Sequence, residues 1–458
     1  MTCVIKGVAT LGWADNSCSL LMAYKSPKVG SNLPLWVSLL LALSLSIPNT
    51  WAQAQRSTAE TALLAENVIQ LQKNVSRSAT LAGVKVAIDS ISIQGNSVFS
   101  EAALLTTLGH VKGVSYDMAG LQDLANTITN HYRTAGFLFA SAYLPPQSVS
   151  GGTIIIKVLE GRYGSITAAG EGSIAQSAQA YLHVLEAGAV ITQAKLTRAV
   201  LILGDVPSVI AKPVLRLGSE VNTADLEVMV SEARNWDGSF TVDNHSSRYN
   251  AGVNGRLSLG FNDVLNFGDR LSLLWDDSLR GGTYGDSTTY EVGYGFALGS
   301  DGLLGKALMS QSSYQLGYEF MGFSGSSKAL LVGLSYPLIR SIQTNLTISV
   351  DSDYNNLNHN LNGVRYSQQR SRGVSSSLKF DHRDGWFGGG QTFGSMTLDL
   401  GQLWPTAYES EPSHVSKLVV DVSRQQSLFG PLSLFVNINR YTNANPLNDY
   451  HKTALGGV

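Results

Sequence analysis

Residues 287–298 read STTYEVGYGFAL, and this stretch shows the pattern that decides the fold. From Tyr290 to Leu298 every second residue is apolar, and the residues between them are polar or small. A period of two indicates a β-strand with one apolar face and one polar face. Segments with the same alternation recur from about 238 to 441, separated by Gly, Asn, Asp and Ser.

About eleven such segments follow one another, and their length is typical of strands that cross a bilayer. An apolar face rich in aromatic residues, opposite a face rich in Ser, Gly, Asn and Arg, is typical of a transmembrane β-barrel with a polar lumen. We therefore predict that residues 235–458 form the N-terminal part of an antiparallel transmembrane β-barrel. The alternation places seven polar residues on the inward face, and these are candidates for lining the pore. Either they hold a plug or guide a polar chain, or they simply face the water in the lumen. They are Arg256, Arg270, Glu291, Asn345, Asp351, Asp399 and Asn437.

Composition excludes several classes of function. The 458 residues have a formal net charge of −2, which provides no basic surface for nucleic acid, so we expect no nucleic-acid partner. The sequence contains no G-x-S-x-G, H-E-x-x-H or P-loop motif and no Cys/His metal spacing. We therefore predict a protein that is not an enzyme and holds no metal or cofactor.

The N-terminus has the order of a secretory signal peptide. Lys25 and Lys28 precede an apolar run from 33 to 47, and the small residues around Ala54 suit cleavage after that position. Residues 1–54 are thus predicted as a signal region, with Met22 as the true start. Both cysteines, Cys3 and Cys18, lie in the part before Met22. We expect the mature chain to contain no disulfide.

Three segments are predicted between the signal region and the barrel. Residues 55–85 contain an amphipathic helix, from 57 to 75, and a linker. Residues 86–166 and 167–234 form two small α+β units, each in the order strand, helix, helix, strand, strand. A small unit of this kind leaves a sheet edge free to accept a strand from another chain. The sequence does not indicate which edge.

Five ordered patches carry a resemblance to a known family. The first, Tyr143-Leu-Pro-Pro-Gln147 followed by Val158-Leu-Glu-Gly161, resembles the end of a first POTRA domain. The others are at 217–228, at 243–249 with Gly268-Asp269, at 336–341, and at 381–390. Together they resemble the outer-membrane transporters of two-partner secretion (TpsB), the haemolysin activation/secretion proteins of the ShlB/FhaC/HecB type.

The resemblance implies a fold of periplasmic α+β POTRA domains followed by a barrel in the outer membrane of a Gram-negative bacterium. It implies that the POTRA pair captures a large unfolded exoprotein of the TpsA type, such as a haemolysin or adhesin. The barrel then conducts that partner across the membrane without ATP. The chain is expected to be a monomer in contact with outer-membrane lipid.

The resemblance also suggests sites. Tyr143, Pro145, Pro146 and Gln147 are candidates for client binding at the mouth of the first POTRA domain, although Pro145-Pro146 can equally be an ordinary turn between edge strands. In the family an N-terminal helix can occupy the resting pore. Residues 57–75 are the candidate for that plug, or else a plain linker helix.

The end of the sequence departs from the family pattern. An odd strand count ending at residues 455–458 leaves two sheet edges unpaired, whereas bacterial barrels close with an even number. We expect either a fragment of a longer chain or a truncated gene. As written, the chain is expected not to insert as a stable closed pore, because unpaired backbone groups in hydrocarbon are costly.

Two other functions are compatible with a barrel. A barrel-assembly factor of the same superfamily would usually carry more than two POTRA copies. A passive porin has no reason to carry periplasmic α+β units. A neighbouring gene encoding a very large repeat-rich exoprotein would discriminate secretion from both.

Overall fold

The computed structural model describes residues 8–11, 85–148, 152–244, 252–279, 281–404, 413–430 and 432–443. The predicted signal cleavage at Ala54, the helix at 57–75 and the end at 455–458 lie outside these residues and stay predictions. The segment 8–11 forms a short strand, β1 (Val8–Leu11), which pairs antiparallel with the last strand of the large sheet.

The first α+β unit has the predicted order of strand, helix, helix, strand, strand, with two extra short strands. β6 lies between β3, to which it is parallel, and β5, to which it is antiparallel, while β2 pairs with β4. The elements are β2 (Val86–Ala87), β3 (Ser90–Gln94), α1 (Glu101–Leu108), β4 (Ser115–Tyr116), α2 (Met118–Thr134), β5 (Ser141–Tyr143) and β6 (Thr153–Leu159).

The helices of this unit begin where the sequence provides capping residues. Ser100 caps α1 by accepting a hydrogen bond from the Ala103 N–H at 3.3 Å, and Asp117 caps α2 through the Gly120 N–H at 2.8 Å. One face of α2 is apolar and is buried in the core of this unit. It consists of Leu121, Leu124, Ile128 and Tyr132.

The second unit repeats the order. Its central strand, β9, lies between the parallel strand β7 and the antiparallel strand β8. Because β7 begins at Arg162, the junction between the units is at Gly161, a few residues before the predicted boundary at 166. The elements are β7 (Arg162–Ala169), α3 (Ile174–Gln179) with the 3₁₀ turn Ala180–Leu182, α4 (Gln193–Gly204), β8 (Val209–Leu217) and β9 (Thr223–Glu232).

Eleven further strands form one antiparallel meander, each paired with the next along the chain. In the described residues β10 pairs with β11 alone, and no pairing joins β10 to β20, so the sheet is open. The strands are β10 (Trp236–Asp243), β11 (Asn254–Asn262), β12 (Arg270–Ser278), β13 (Asp286–Ala297), β14 (Leu304–Gln315), β15 (Phe323–Arg340), β16 (Thr344–Leu361), β17 (Val364–Asp384), β18 (Gly390–Trp404), β19 (Ser413–Ser427) and β20 (Leu432–Asn443).

The two faces of this large sheet differ in polarity. One face presents large apolar side chains to the surroundings, where an ordinary soluble sheet would bury them. In the described part of the chain no helix is both long and apolar enough to cross a membrane. The exposed apolar residues include Phe240, Trp275, Tyr290, Val292, Met309, Val332, Val350, Leu398 and Ile438.

A glycine is required where β3 ends against β6. Gly95 has a φ of +85°, and a Cβ placed on it would lie 2.4 Å from the Val158 carbonyl oxygen. Gly109 has a similar φ of +74° but open space around it. We expect Gly95→Ala to lower the free energy of unfolding of the first unit by about 2–3 kcal/mol and Gly109→Ala by about 1 kcal/mol. Urea unfolding followed by circular dichroism at 222 nm measures both, and equal losses would contradict this account of Gly95.

Candidate functional site

A buried carboxylate lies at the junction of the two α+β units. Glu160 follows β6 directly, and its side chain is only 1% exposed. The carboxylate accepts hydrogen bonds from the N–H groups of Ser97 at 2.5 Å and Val98 at 2.8 Å, from the Ser97 hydroxyl, and from the Tyr132 hydroxyl at 3.0 Å. Four donors on one carboxylate explain how the charge is tolerated in the interior.

The same contacts determine the protonation states of Glu160 and Tyr132. Burial alone would raise the pKa of the Glu160 carboxyl, but hydrogen bonds from Ser97, Val98 and Tyr132 outweigh it and hold that pKa below the ordinary glutamate value. Burial and the neighbouring Glu160 raise the pKa of the Tyr132 hydroxyl above its ordinary value. The pair is therefore a carboxylate and a neutral phenol at neutral pH.

Arg162 extends this cluster into the second unit. Its Nη2 lies 3.3 Å from Glu160 Oε2 and donates to the Ser97 hydroxyl at 2.7 Å, while Nη1 donates to the Gly188 carbonyl at 2.9 Å. The Gly161 N–H donates to the Asn222 side chain at 3.0 Å. Both α+β units belong to one compact body, and these hydrogen bonds and this ion pair connect them.

The predicted client-binding residues lie beside the edge of the first sheet. Tyr143 ends β5 and is partly exposed, and Pro145 and Pro146 follow where the pairing with β6 stops. Beyond the end of β5, the Gln147 side-chain amide takes the place of a paired strand on β6. It donates to the Ile155 carbonyl and accepts from the Ile155 N–H, both at 2.8 Å. Gln147 thus has an internal partner, and client binding by these four residues stays a prediction.

The strand register of the large sheet places the seven pore-lining candidates on one face. Three of them form ion pairs there: Arg256 with Asp276 at 2.6 Å, Arg270 with Asp237 at 2.7 Å, and Asp351 with Lys306 at 2.8 Å. In an antiparallel sheet, residues opposite each other share a face, so these pairs follow from the register. That this face lines a conducting pore stays a prediction.

Each of the other four candidates has at least one polar neighbour on the same face. Asn345 donates to Asp381 at 3.1 Å, and Asp399 accepts from the Ser375 hydroxyl at 2.6 Å. Asn437 donates to Asp421 at 3.1 Å and Ser423 at 2.7 Å. Glu291 lies opposite Ser310 and Leu274. The face is mainly polar and charged, with apolar side chains such as Leu274 and Leu331 between the polar groups.

The signature stretch 381–390 forms a strand end and a tight turn. Asp384 pairs with Arg424 at 2.8 Å across two strands, and the turn that follows uses Gly388 at a φ of +94° and Gly389 at +99°. The sequence pattern indicates the motif but neither its partner Arg424 nor Lys306 on the polar face. For Lys306 the available signal was a charged residue at an inward position of a strand. The register places Arg424 on the other face, across from Thr392 and Val436, so that signal does not apply to it.

Among the described residues no group of three or more His, Cys, Asp or Glu side chains is arranged to hold a metal ion. The described residues provide hydrogen-bonding groups along strand edges, a polar surface on one side of the large sheet, and an apolar surface on the other.

Comparisons with known proteins match this architecture. A model of the ShlB-type POTRA domain matches residues 86–161, and a model described as haemolysin secretion/activation protein ShlB/FhaC/HecB matches residues 222–457, a little over half of the chain. A curated relative is the heme/hemopexin transporter protein HuxB of Haemophilus influenzae, 24% identical over 393 residues, covering 82% of this chain and 68% of HuxB.

Two solved structures share the fold. CdiB from Escherichia coli superposes with a TM-score of 0.66 at 18% identity, covering 91% of this chain and 80% of that one. CdiB from Acinetobacter baumannii gives 0.54 at 15% identity, covering 87% and 78%. The predicted fold class, POTRA units followed by an antiparallel barrel sheet, is confirmed.

Proposed function

Since the chain belongs to the haemolysin secretion/activation protein family ShlB/FhaC/HecB, we propose that its POTRA units take up an unfolded TpsA-type exoprotein and pass it to the barrel. The protein acts in two-partner secretion, in the outer membrane, with its POTRA domains in the periplasm. Transport then proceeds without ATP, and the chain acts as a monomer with no catalytic activity of its own.

The observation that supports this proposal most directly is the difference in polarity between the two faces of the large sheet. An apolar exposed face suits lipid, and a polar face with the ion pairs Arg256 to Asp276 and Lys306 to Asp351 suits a hydrated path. An extended polypeptide is itself a polar chain of N–H and C=O groups. A hydrated surface with hydrogen-bonding side chains lets the polypeptide pass while its N–H and C=O groups keep hydrogen-bond partners.

Family membership favours secretion over the two alternatives. The matching model describes secretion and activation proteins, and it covers most of the barrel sheet. A passive porin would not need the two POTRA units that precede the sheet. A barrel-assembly factor would be expected to carry more of them than the two α+β units seen in the described residues.

The test is co-expression with a very large exoprotein encoded by a neighbouring gene. We expect the exoprotein in the culture medium only when this chain is present. In proteoliposomes that contain the product of the complete reading frame, we expect the unfolded exoprotein to become protected from added protease in the absence of ATP. To test the alternative of a barrel-assembly factor, the assembly of unrelated outer-membrane barrels is measured in the same cells. Normal secretion without this chain, or defective barrel assembly without it, would overturn the proposal.

A further inference from the structure

On the apolar face of the large sheet, strands β15 to β18 change from apolar to polar residues near one end. We call side chains on this face outward, and they alternate along each strand with those on the polar face. The apolar band that suits hydrocarbon ends where this change occurs. Each strand makes the change within a single outward step: from Leu330 to Lys328, from Tyr354 to Asn356, from Val374 to Arg372, and from Leu400 to Gln402.

The polar ends of these four strands lie on the extracellular side. The POTRA domains are periplasmic, and residues 233–235 connect β9 to β10, so β10 begins on the periplasmic side. In an antiparallel meander the connections after β10, β12, β14, β16 and β18 are then extracellular. The polar residues lie at the start of β15 and β17 and at the end of β16 and β18, next to these connections.

The same strands are long enough to extend beyond the hydrocarbon. β15 and β16 have 18 residues each and β17 has 21, whereas about 9–11 residues suffice to cross the bilayer. Their extracellular ends therefore place side chains at the level of the lipid headgroups.

Three cations form a patch on this part of the outward face: Lys328, Arg370 and Arg372, which we call the cationic patch. All three are exposed. Lys328 is opposite Asn356, which is opposite Arg370, so the two cations are two strands and roughly 10 Å apart. Arg372 is two residues from Arg370 on the same strand and face, at about 7 Å. No Asp or Glu occupies the outward positions within 324–328, 356–358, 368–372 and 402–404.

The Arg372 side chain is oriented without being neutralised. Its Nε and Nη2 donate to Gln402 Oε1 at 3.2 and 2.8 Å, and its Cζ lies 4.8 Å from the centroid of the Trp404 ring. A neutral amide and an aromatic ring fix the plane of the guanidinium but leave its charge uncompensated. The Arg372 side chain is thus prepared for an anion.

The polar face of the same sheet treats its cations differently. There Arg256, Arg270 and Lys306 each pair with an aspartate, at 2.6, 2.7 and 2.8 Å. In the part of the chain that the structure describes, no carboxylate pairs with the cationic patch. Exposed cations at the edge of an apolar band attract the anionic groups of lipids.

We propose that the cationic patch, together with Gln402 and Trp404, binds the phosphate groups of an outer-leaflet glycolipid of the lipid A class. The occupant is a lipid because the patch continues the apolar band, so that acyl chains along Leu330 and Val374 bring a headgroup to the cations. The arginine guanidinium groups suit phosphate oxygens, which they can bind through two hydrogen bonds.

The spacing of the cations favours a headgroup with two phosphates. Lys328 and the two arginines provide positive charge at two places roughly 10 Å apart. A glycerophospholipid such as phosphatidylethanolamine has one phosphate, whereas lipid A carries one at each end of a disaccharide. This inference goes beyond the proposed secretion function and does not depend on it.

The test uses the product of the complete reading frame in dodecyl maltoside, with diphosphoryl lipid A as the probe and microscale thermophoresis as the measurement. We expect wild type to bind this lipid at least about tenfold more tightly than phosphatidylethanolamine, which has no net charge. Arg370→Gln and Arg372→Gln should each weaken binding by about fivefold, and the double variant by about 25-fold.

Lys379→Gln is the matched control. Lys379 is an exposed cation on the same strand as the two arginines, but the register places it on the polar face, opposite Thr347 and Ser395. We expect it to change lipid A binding by less than about twofold. Heat-modifiable mobility on gels verifies that each variant is folded. The comparison of the two lipids on wild type requires no variant.

Three outcomes would overturn the proposal: equal affinity of wild type for lipid A and phosphatidylethanolamine, undiminished binding by the double variant, or an equal loss in Lys379→Gln. Displacement of lipid A by an equimolar amount of inorganic phosphate would assign the cations to a free anion. Equally tight binding of phosphatidylglycerol would assign them to anionic lipids in general. Either result would reject the glycolipid as the occupant.

Discussion

Replacing Glu160 with glutamine is expected to lower the free energy of unfolding of the POTRA pair by about 3–4 kcal/mol. The amide keeps the size of the carboxylate but places an NH₂ group among donors that require an acceptor. Ser97, Val98 and Tyr132 would lose their shared partner, and Arg162 would lose the charge it lies beside at 3.3 Å.

The loss should depend on pH in a defined direction. The folded pKa of Glu160 lies below its unfolded value, so its contribution is fully present above the unfolded pKa of about 4.3. That contribution disappears as the pH falls through the folded pKa. The stability difference between wild type and Glu160→Gln should therefore be large at pH 7 and shrink below pH ~4.

Urea unfolding followed at 222 nm measures this effect, because the four α-helices found in the described residues all lie in the POTRA units. Glu171→Gln is the matched control, since Glu171 is exposed. Equal unfolding midpoints for Glu160→Gln and Glu171→Gln would show that the junction does not depend on the buried charge.

Replacing Met309 with lysine is expected to cost about 2–4 kcal/mol in membrane folding, the usual penalty for a lysine on the lipid face near the bilayer midplane. Met309 is near the middle of β14 and is 62% exposed. Its cross-strand neighbours Val292 and Leu330 are also exposed and apolar.

Ser310→Lys is a stringent control because it moves the same charge by one residue. Ser310 is on the opposite face, where the register places it across from Glu291. We expect the control to fold within about 0.5 kcal/mol of wild type. Folding of the product of the complete reading frame from urea into phospholipid vesicles, followed by heat-modifiable mobility on gels, compares the two. Equal penalties at 309 and 310 would contradict the assignment of the faces.

The sequence by itself determined the local pattern of this protein. Strict alternation around Tyr290 to Leu298 specifies both a strand and its two faces, because successive side chains in a strand point to opposite sides. For the same reason the alternation alone assigns Arg256 and Asp399, far apart in the chain, to one face. Element ends also depend on local constraints, as at the helix cap Ser100 and at Gly95 with its positive φ.

The tertiary structure alone decided which groups meet. Glu160 finds Ser97 and Val98 more than sixty residues away, and Lys306 finds Asp351 only through the register of two intervening strand pairs. Whether an edge is open depends on a side chain reaching across, as Gln147 does to Ile155 and Gln179 to Ala168. Local propensity carries no information about such contacts, because their energy comes from groups that only the folded chain brings together.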